Sequence, residues 1–396
     1  MPLSADKEIA TARAAPLTGV RDPRLDFFRG IAMFIILIAH TPGNWLTLWI
    51  PARFGFSDAT ETFVFCSGMA SAIAFGSVFR DRGLGLGTAR VAFRVWQVYW
   101  AHVGLFLAIA ATMVILNAAL PDGRNYVGQL NLVPFFKDPA GNLVGLLTLT
   151  YVPNYFDILP MYLVILAMMP VMVALARLHL GIMIGASVLI WLCANVGGVN
   201  LPAEPWSDRG WFFNPFGWQL IFFTGFALMA GWVPAPPVDK GLFWAAVAVI
   251  VITLPFAYFR IYQDVPFLFE SREALSFLIH KTNFGALRYV HFLATAYVAW
   301  VLVGPKGANI LPPDGDGTLS RLWRGALAVI MKVGQQSLAV FVASMFLARL
   351  LGVAFDLLGK SHLTVLLVNG VGFALIIAVA YGVGWFKAQP WRRQRA

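Results

Sequence analysis

The sequence predicts an all-α fold: a polytopic membrane helical bundle of about ten transmembrane helices with both termini cytoplasmic. Three observations carry this. Hydrophobic residues make up 59% of the 396-residue chain against 12% charged, and the mean hydropathy is +0.73, far from the composition of a soluble domain. Apolar windows of about 20 residues, the length that crosses roughly 30 Å of hydrocarbon as a helix, recur along the chain without the alternation a barrel strand needs. Basic residues gather on alternate connections between those windows.

The spans follow from apolar runs and their breakers. The first, 27–48, carries FFRGIAMFIILIAH before Thr41-Pro42-Gly43, where a helix would break. The second, 60–79, opens on Asp58-x-x-Glu61, a capping-box spacing. GLGLG at 83–87 then reads as a flexible loop; it follows a membrane span rather than a strand, so it is no dinucleotide fingerprint. The third span is 94–118. Leu143 to Val152 is too short to cross and is bounded by Gly141 and Pro153, which suits a re-entrant or interfacial helix. Span four, 154–176, opens in NYFDILPMY, and spans five and six follow at 180–198 and 212–232. The linker PAPP precedes span seven, 240–259. Span eight is 285–304, and PKGANILPPDGDG joins it to span nine, 325–353, before span ten, 362–386. Cys66 and Cys193 sit inside apolar runs and read as small core residues rather than a disulfide. Residues 1–26 and 387–396 are expected as cytoplasmic tails flanking one transmembrane domain, 27–386, and residues 1–20 lack the apolar middle of a cleavable signal.

This arrangement puts 18 of the 29 Lys and Arg on one side and eight on the other, with Arg288, Lys332 and Arg349 inside spans. The richer side is then cytoplasmic. The net charge of +10 is mostly topology, and no nucleic-acid partner is expected.

Ionisable groups inside a membrane are costly and face a bundle interior or a wet cavity. Asp26, Arg29 and His40 share one helical face. At 100° per residue the step from Arg29 to His40 returns to within about 20°, with a rise of roughly 16 Å, about half the hydrocarbon thickness. Taken alone, Asp26 and Arg29 also fit an interfacial anchor with its salt-bridge partner, and His40 a satisfied core histidine. The shared face and the break beside His40 favour a cavity, where a neutral imidazole suits a general base. Asp58 and Glu61 fit a cap or a site, and Asp157 has the same two readings. Arg288 and His291 share a face at the start of span eight, with Arg288 a candidate for holding an anion. Lys332, about 12 Å past Arg324, either pairs structurally or lines the cavity. No G-x-S-x-G elbow, H-E-x-x-H, Walker lysine or zinc-like spacing occurs, so neither a metal nor a bound cofactor is expected.

RDPRLDFFRG running into an apolar helix, with an Arg followed after ten residues by a His, resembles the first span of the membrane acyltransferase-three superfamily. FVFCSGM at 63–69 is similar to its aromatic-rich Ser-Gly segment, and FRVWQVYW at 93–100 to its arginine-plus-aromatic third span. With HTPGNWLTL, FGFSDATETFVFCSGM, NYFDILPMYLVIL and GQQSLAVF, the chain most closely resembles the OpgC family, implicated in succinylating osmoregulated periplasmic glucans. The resemblance implies a bacterial inner-membrane enzyme that moves an acyl group, succinyl above all, from cytoplasmic acyl-CoA to hydroxyls of a periplasmic glucan. It implies His40 as base, with Arg29 handling the donor and Asp26 carried over by its motif. Donor contacts are expected from Arg29, Arg90 and Arg94 at the basic inner surface, and from Tyr99 and Trp100 in the aromatic block. Acceptor or acyl-group contacts are expected from Asp58, Glu61, Asp157, Arg288, His291 and Lys332. The alternative is a secondary transporter or flippase for an anionic or carbohydrate substrate. Such proteins also keep ionisable residues at the midplane, but the two halves of this chain share no matching polar landmark.

Overall fold

The computed structural model describes residues 22–120, 124–313, 315 and 317–392. The expected tails therefore fall largely outside the described residues. Twelve helices of ten or more residues make up the described fold, and no strand occurs there beyond one isolated bridge between Pro202 and Gly210. They are α1 (Pro23–His40), α2 (Ala59–Ser71), α3 (Ser77–Ala119), α4 (Pro139–Thr148), α5 (Ile158–Leu178) and α6 (Leu180–Asn195). After them come α7 (Pro215–Met229), α8 (Lys240–Ala257), α9 (Ala286–Val303), α10 (Thr318–Gln335), α11 (Ser337–Leu358) and α12 (His362–Ala388). Six helical stretches among the described residues are long and apolar enough to cross a membrane, the longest being the 61 residues Ala59–Ala119.

Three boundaries differ from the sequence reading, each for a local reason. The first span begins earlier, at Pro23, with Asp22 accepting the Arg24 amide as its cap, and it ends at His40. Gly43 at φ 77° then turns the chain into short 3₁₀ turns instead of carrying a helix on to 48. GLGLG is not a flexible loop. Only Gly83 departs from helix, at φ 83° and ψ 176°, and the chain doubles back there. Arg90 Nε reaches the carbonyl of Ala74 at 3.2 Å, and Gly87 lies flat on the Phe79 ring. The expected span 325–353 is two helices broken at Gln336, where the run Gly334-Gln335-Gln336-Ser337 interrupts the apolar pattern. Leu143 to Val152 holds the end of the ten-residue α4, too short to cross, closed by Leu149 at φ 60°.

The core gathers around α1, α2, α7 and α11. Two crossings set its geometry, and both work by missing side chains. A Cβ on Gly68 of α2 would collide with the Phe222 carbonyl of α7, and one on Gly225 of α7 with the Phe65 carbonyl of α2. Gly30 of α1 and Gly334 of α10 make a second reciprocal pair, against Ile330 and Asp26 backbone. Small residues let membrane helices approach closely and gain dispersion contacts where lipid gives no hydrophobic drive.

Gly68→Val is expected to lower thermal stability in detergent by several degrees, about 2 kcal/mol, because the backbone of α7 cannot yield. Gly104→Ala, which meets nothing within 4 Å, serves as the control expected to hold the wild-type Tm. Equal Tm for both variants would contradict the crossing.

Candidate functional site

The stripe on α1 ends in two polar clusters. At the Asp26 end, Asp26 is fully buried and Arg29 donates to the Ser337 hydroxyl. Ser337 begins α11 immediately after the Gln336 break, so that break brings the hydroxyl to Arg29. A cavity of about 360 Å³ opens here, walled by Arg29, Arg90, Arg94, Gln97, Ser67, Ser71, Phe75 and Tyr162. The reversal at Gly83 sets α2 and α3 side by side as two of its walls. Arg94 donates to Gln97 at 3.1 Å. Tyr99 and Trp100 do not line this cavity: the Tyr99 hydroxyl donates to the Leu147 carbonyl at 2.8 Å, and Trp100 faces outward.

At the other end, His40 Nδ1 lies 2.8 Å from the carbonyl of Ile36, one turn back. A carbonyl only accepts, so Nδ1 carries a proton, and in the neutral ring the lone pair is then on Nε2. The His40 ring packs edge-on against Tyr155, with centroids 5.5 Å apart. Tyr155 is held at φ 86°, a region costly for an aromatic residue, and its hydroxyl donates to the Met345 carbonyl at 2.6 Å. The Arg349 guanidinium packs on the same ring, 5.4 Å from its centroid. A second cavity, about 510 Å³, opens at the Thr41-Pro42-Gly43 break and is lined by Trp45, Thr47, Leu48 and Arg53 among others.

Asp58 and Glu61 satisfy both of their readings with different oxygens. Asp58 Oδ1 accepts from Thr60 N–H, while Oδ2 takes the Lys281 ammonium at 2.5 Å. Glu61 Oε2 accepts from Asp58 N–H, completing the capping box, while Oε1 takes Arg288 Nε at 2.8 Å and Nη2 at 2.5 Å. Beside them His291 Nδ1 pairs with the Ser57 hydroxyl at 2.7 Å, its ring seated where Gly55 has no Cβ. Two expectations about cations change. Arg288 is already bound to Glu61, with Asp58 at 3.7 Å. Lys332 lies at the Asp26 end, against Tyr381 and Gly384 of α12, and is not brought to His40. Asp157 makes no cap bond to its own helix; instead Oδ1 accepts from Phe212 N–H at 3.1 Å.

Tyr155, Lys281, Ser337 and Arg349 were missed as site residues. Arg349 carried a usable signal, being one of three basic residues inside a span. Ser337 carried none, since its role depends on a helix break.

With this geometry in view, comparison with known families is decisive: the OpgC protein family matches over residues 21–388. The chain belongs to the OpgC family. It is a membrane-associated enzyme of transferase type. Neither curated proteins nor solved structures returned a significant match.

Burial pushes the Asp157 carboxyl up to about 6, against the opposing pull of the Phe212 amide and Arg209. Stability tied to this group is present below its ordinary 3.8 and is lost as the pH rises through about 6. Asp157→Asn keeps an acceptor for Phe212, so it is expected to stabilise the protein at alkaline pH by about 3 kcal/mol, raising Tm there, and to change nothing in acid. A lower Tm for the variant at alkaline pH would show that the fold needs the charge.

Proposed function

We propose that this OpgC-family protein is an acyl-CoA-dependent O-acyltransferase of the bacterial inner membrane that succinylates hydroxyls of a periplasmic glucan. In this reading about ten spans leave both termini cytoplasmic, the Asp26 end faces the cytoplasm, and the His40 end faces the periplasm. The observation that carries it is the His40 tautomer: Nδ1–H is committed to Ile36, which leaves Nε2 as a proton acceptor inside the bundle.

The chemistry follows from the two clusters. The arginines of the 360 Å³ cavity suit the CoA phosphates, Arg through its fork in particular. The pantetheine arm then carries the thioester along α1 over the roughly 16 Å between Arg29 and His40. The acceptor sugar enters from the cavity beside the Thr41-Pro42-Gly43 break, whose hydroxyl, guanidinium and indole groups suit a carbohydrate. His40 Nε2 takes the proton of a sugar hydroxyl as its oxygen bonds to the thioester carbon. Collapse of the tetrahedral intermediate breaks the C–S bond, and the imidazolium returns the proton to the CoA thiolate. Asp26, Asp58, Glu61, Lys281 and His291 hold the surrounding backbone and charges in place.

Purified protein incubated with succinyl-CoA and a glucan is expected to release CoA thiol and add the succinyl mass to the sugar. His40→Ala is expected to cut that rate at least about 100-fold. Because the His40 hydrogen bond runs to its own helix, the variant is expected to stay folded, with any fall in Tm confined to the lost edge-on contact with Tyr155. Full activity of His40→Ala would remove the base assignment. Arg90→Gln is expected to raise the donor KM about tenfold with kcat held, as loss of uniform binding does; an unchanged KM would take Arg90 out of the donor site.

A further inference from the structure

The charges around His40 are nearly all matched in contact. Lys281 meets Asp58, Arg288 meets Glu61, and Arg124 meets Asp356 at 2.6 Å. Arg349 differs. It is buried on α11, yet among the described residues no carboxylate lies within salt-bridge distance of it. Asp356, two turns along the same helix, acts on it only at a distance and is held by Arg124. The Arg349 side chain makes one hydrogen bond, from Nη2 to the neutral Gln129 Oε1 at 3.1 Å, and its buried Nε has no partner. An unmatched guanidinium inside an apolar bundle costs a few kcal/mol, and such groups mark places where an anion is received.

We propose that Arg349 is the specificity residue for the acyl group, binding the distal carboxylate of a dicarboxylic acyl chain while its thioester lies at His40. The inference rests on the acyl-transfer reading above. Both groups pack on the Tyr155 ring, the His40 centroid 5.5 Å and the Arg349 guanidinium 5.4 Å from its centre, so imidazole and guanidinium lie at most about 11 Å apart. A four-carbon diacid separates its carbonyl carbons by about 4 Å, from three C–C bonds of about 1.5 Å. A hydrogen bond of about 3 Å at each end gives a reach of about 10 Å, which falls inside that upper limit. The planar fork offers a carboxylate the paired donors that a lysine lacks, and it shares the Tyr155 ring as a packing partner with His40. A monocarboxylic acyl chain of the same length would leave the guanidinium unmatched, and a buried polar group left unpaired is the strongest basis for rejecting an analogue.

Two measurements on the full-length protein in detergent test this. In the first, monomethyl succinate, but not methyl butyrate, is expected to raise the wild-type Tm. The rise is expected to vanish in Arg349→Gln and to shrink in Arg349→Lys. In the second, the ratio of succinyl to butyryl transfer from the two CoA esters is expected to fall at least about 100-fold in Arg349→Gln. Arg349→Lys keeps the charge and is the variant to use if Arg349→Gln does not fold; it is expected to lose most of the same preference. An unchanged ratio in either folded variant would overturn the role of Arg349 and leave acyl transfer standing. Arg349-dependent binding of monomethyl succinate without transfer from any acyl-CoA would instead overturn the transfer reading and leave the anion site standing.

Discussion

The hydrogen bond from His40 Nδ1 to the Ile36 carbonyl is the interaction on which the site depends. It is local, one helical turn long, and independent of tertiary packing. It still decides which ring nitrogen is basic, because a carbonyl can receive a hydrogen bond but not give one. Tyr155 packs edge-on against the ring, and the break at Thr41-Pro42-Gly43 opens a cavity lined by the residues on either side of His40, Ala39 and Thr41.

A bundle of this composition has little means of solvating charge, so its ionisable groups must satisfy one another. Asp58 and Glu61 show how closely this is managed. Each carboxylate gives one oxygen to the start of α2 and the other to a cation on or just before α9, so one box of residues caps a helix and ties two together. The exceptional group is Arg349, matched by no carboxylate in contact among the described residues. At the opposite end the glycine crossing of α1 and α10 performs a related task, because the close approach of Gly334 to Asp26 sets Ser337 within reach of Arg29.

The membrane class and the stripe Asp26, Arg29, His40 were legible in the sequence because both rest on periodicity, which a helix preserves. The meeting of Arg29, Arg90 and Arg94 around one cavity was legible from their common charge and shared side. What was not legible depends on chain reversals and breaks. Gly83 reads as one glycine among several in GLGLG, yet it alone turns the chain, and Gln336 sits in a run that apolar counting joins into one span. Lys332 was placed by its axial distance from Arg324, which the unbroken α10 preserves, but axial distance does not say which helix it meets: it packs on Tyr381 of α12 and not beside His40. Arg288 was read as an open anion holder because its partner, Glu61, is 227 residues away in sequence.

In the proposed mechanism α1 joins a donor cavity at one membrane face to a base serving the other. Sidedness in sealed proteoliposomes of defined orientation tests it most directly. With succinyl-CoA confined to the side of the Arg29 cavity and glucan confined to the opposite side, succinylated glucan is the predicted product. Product formed only when both substrates share one compartment would contradict the account.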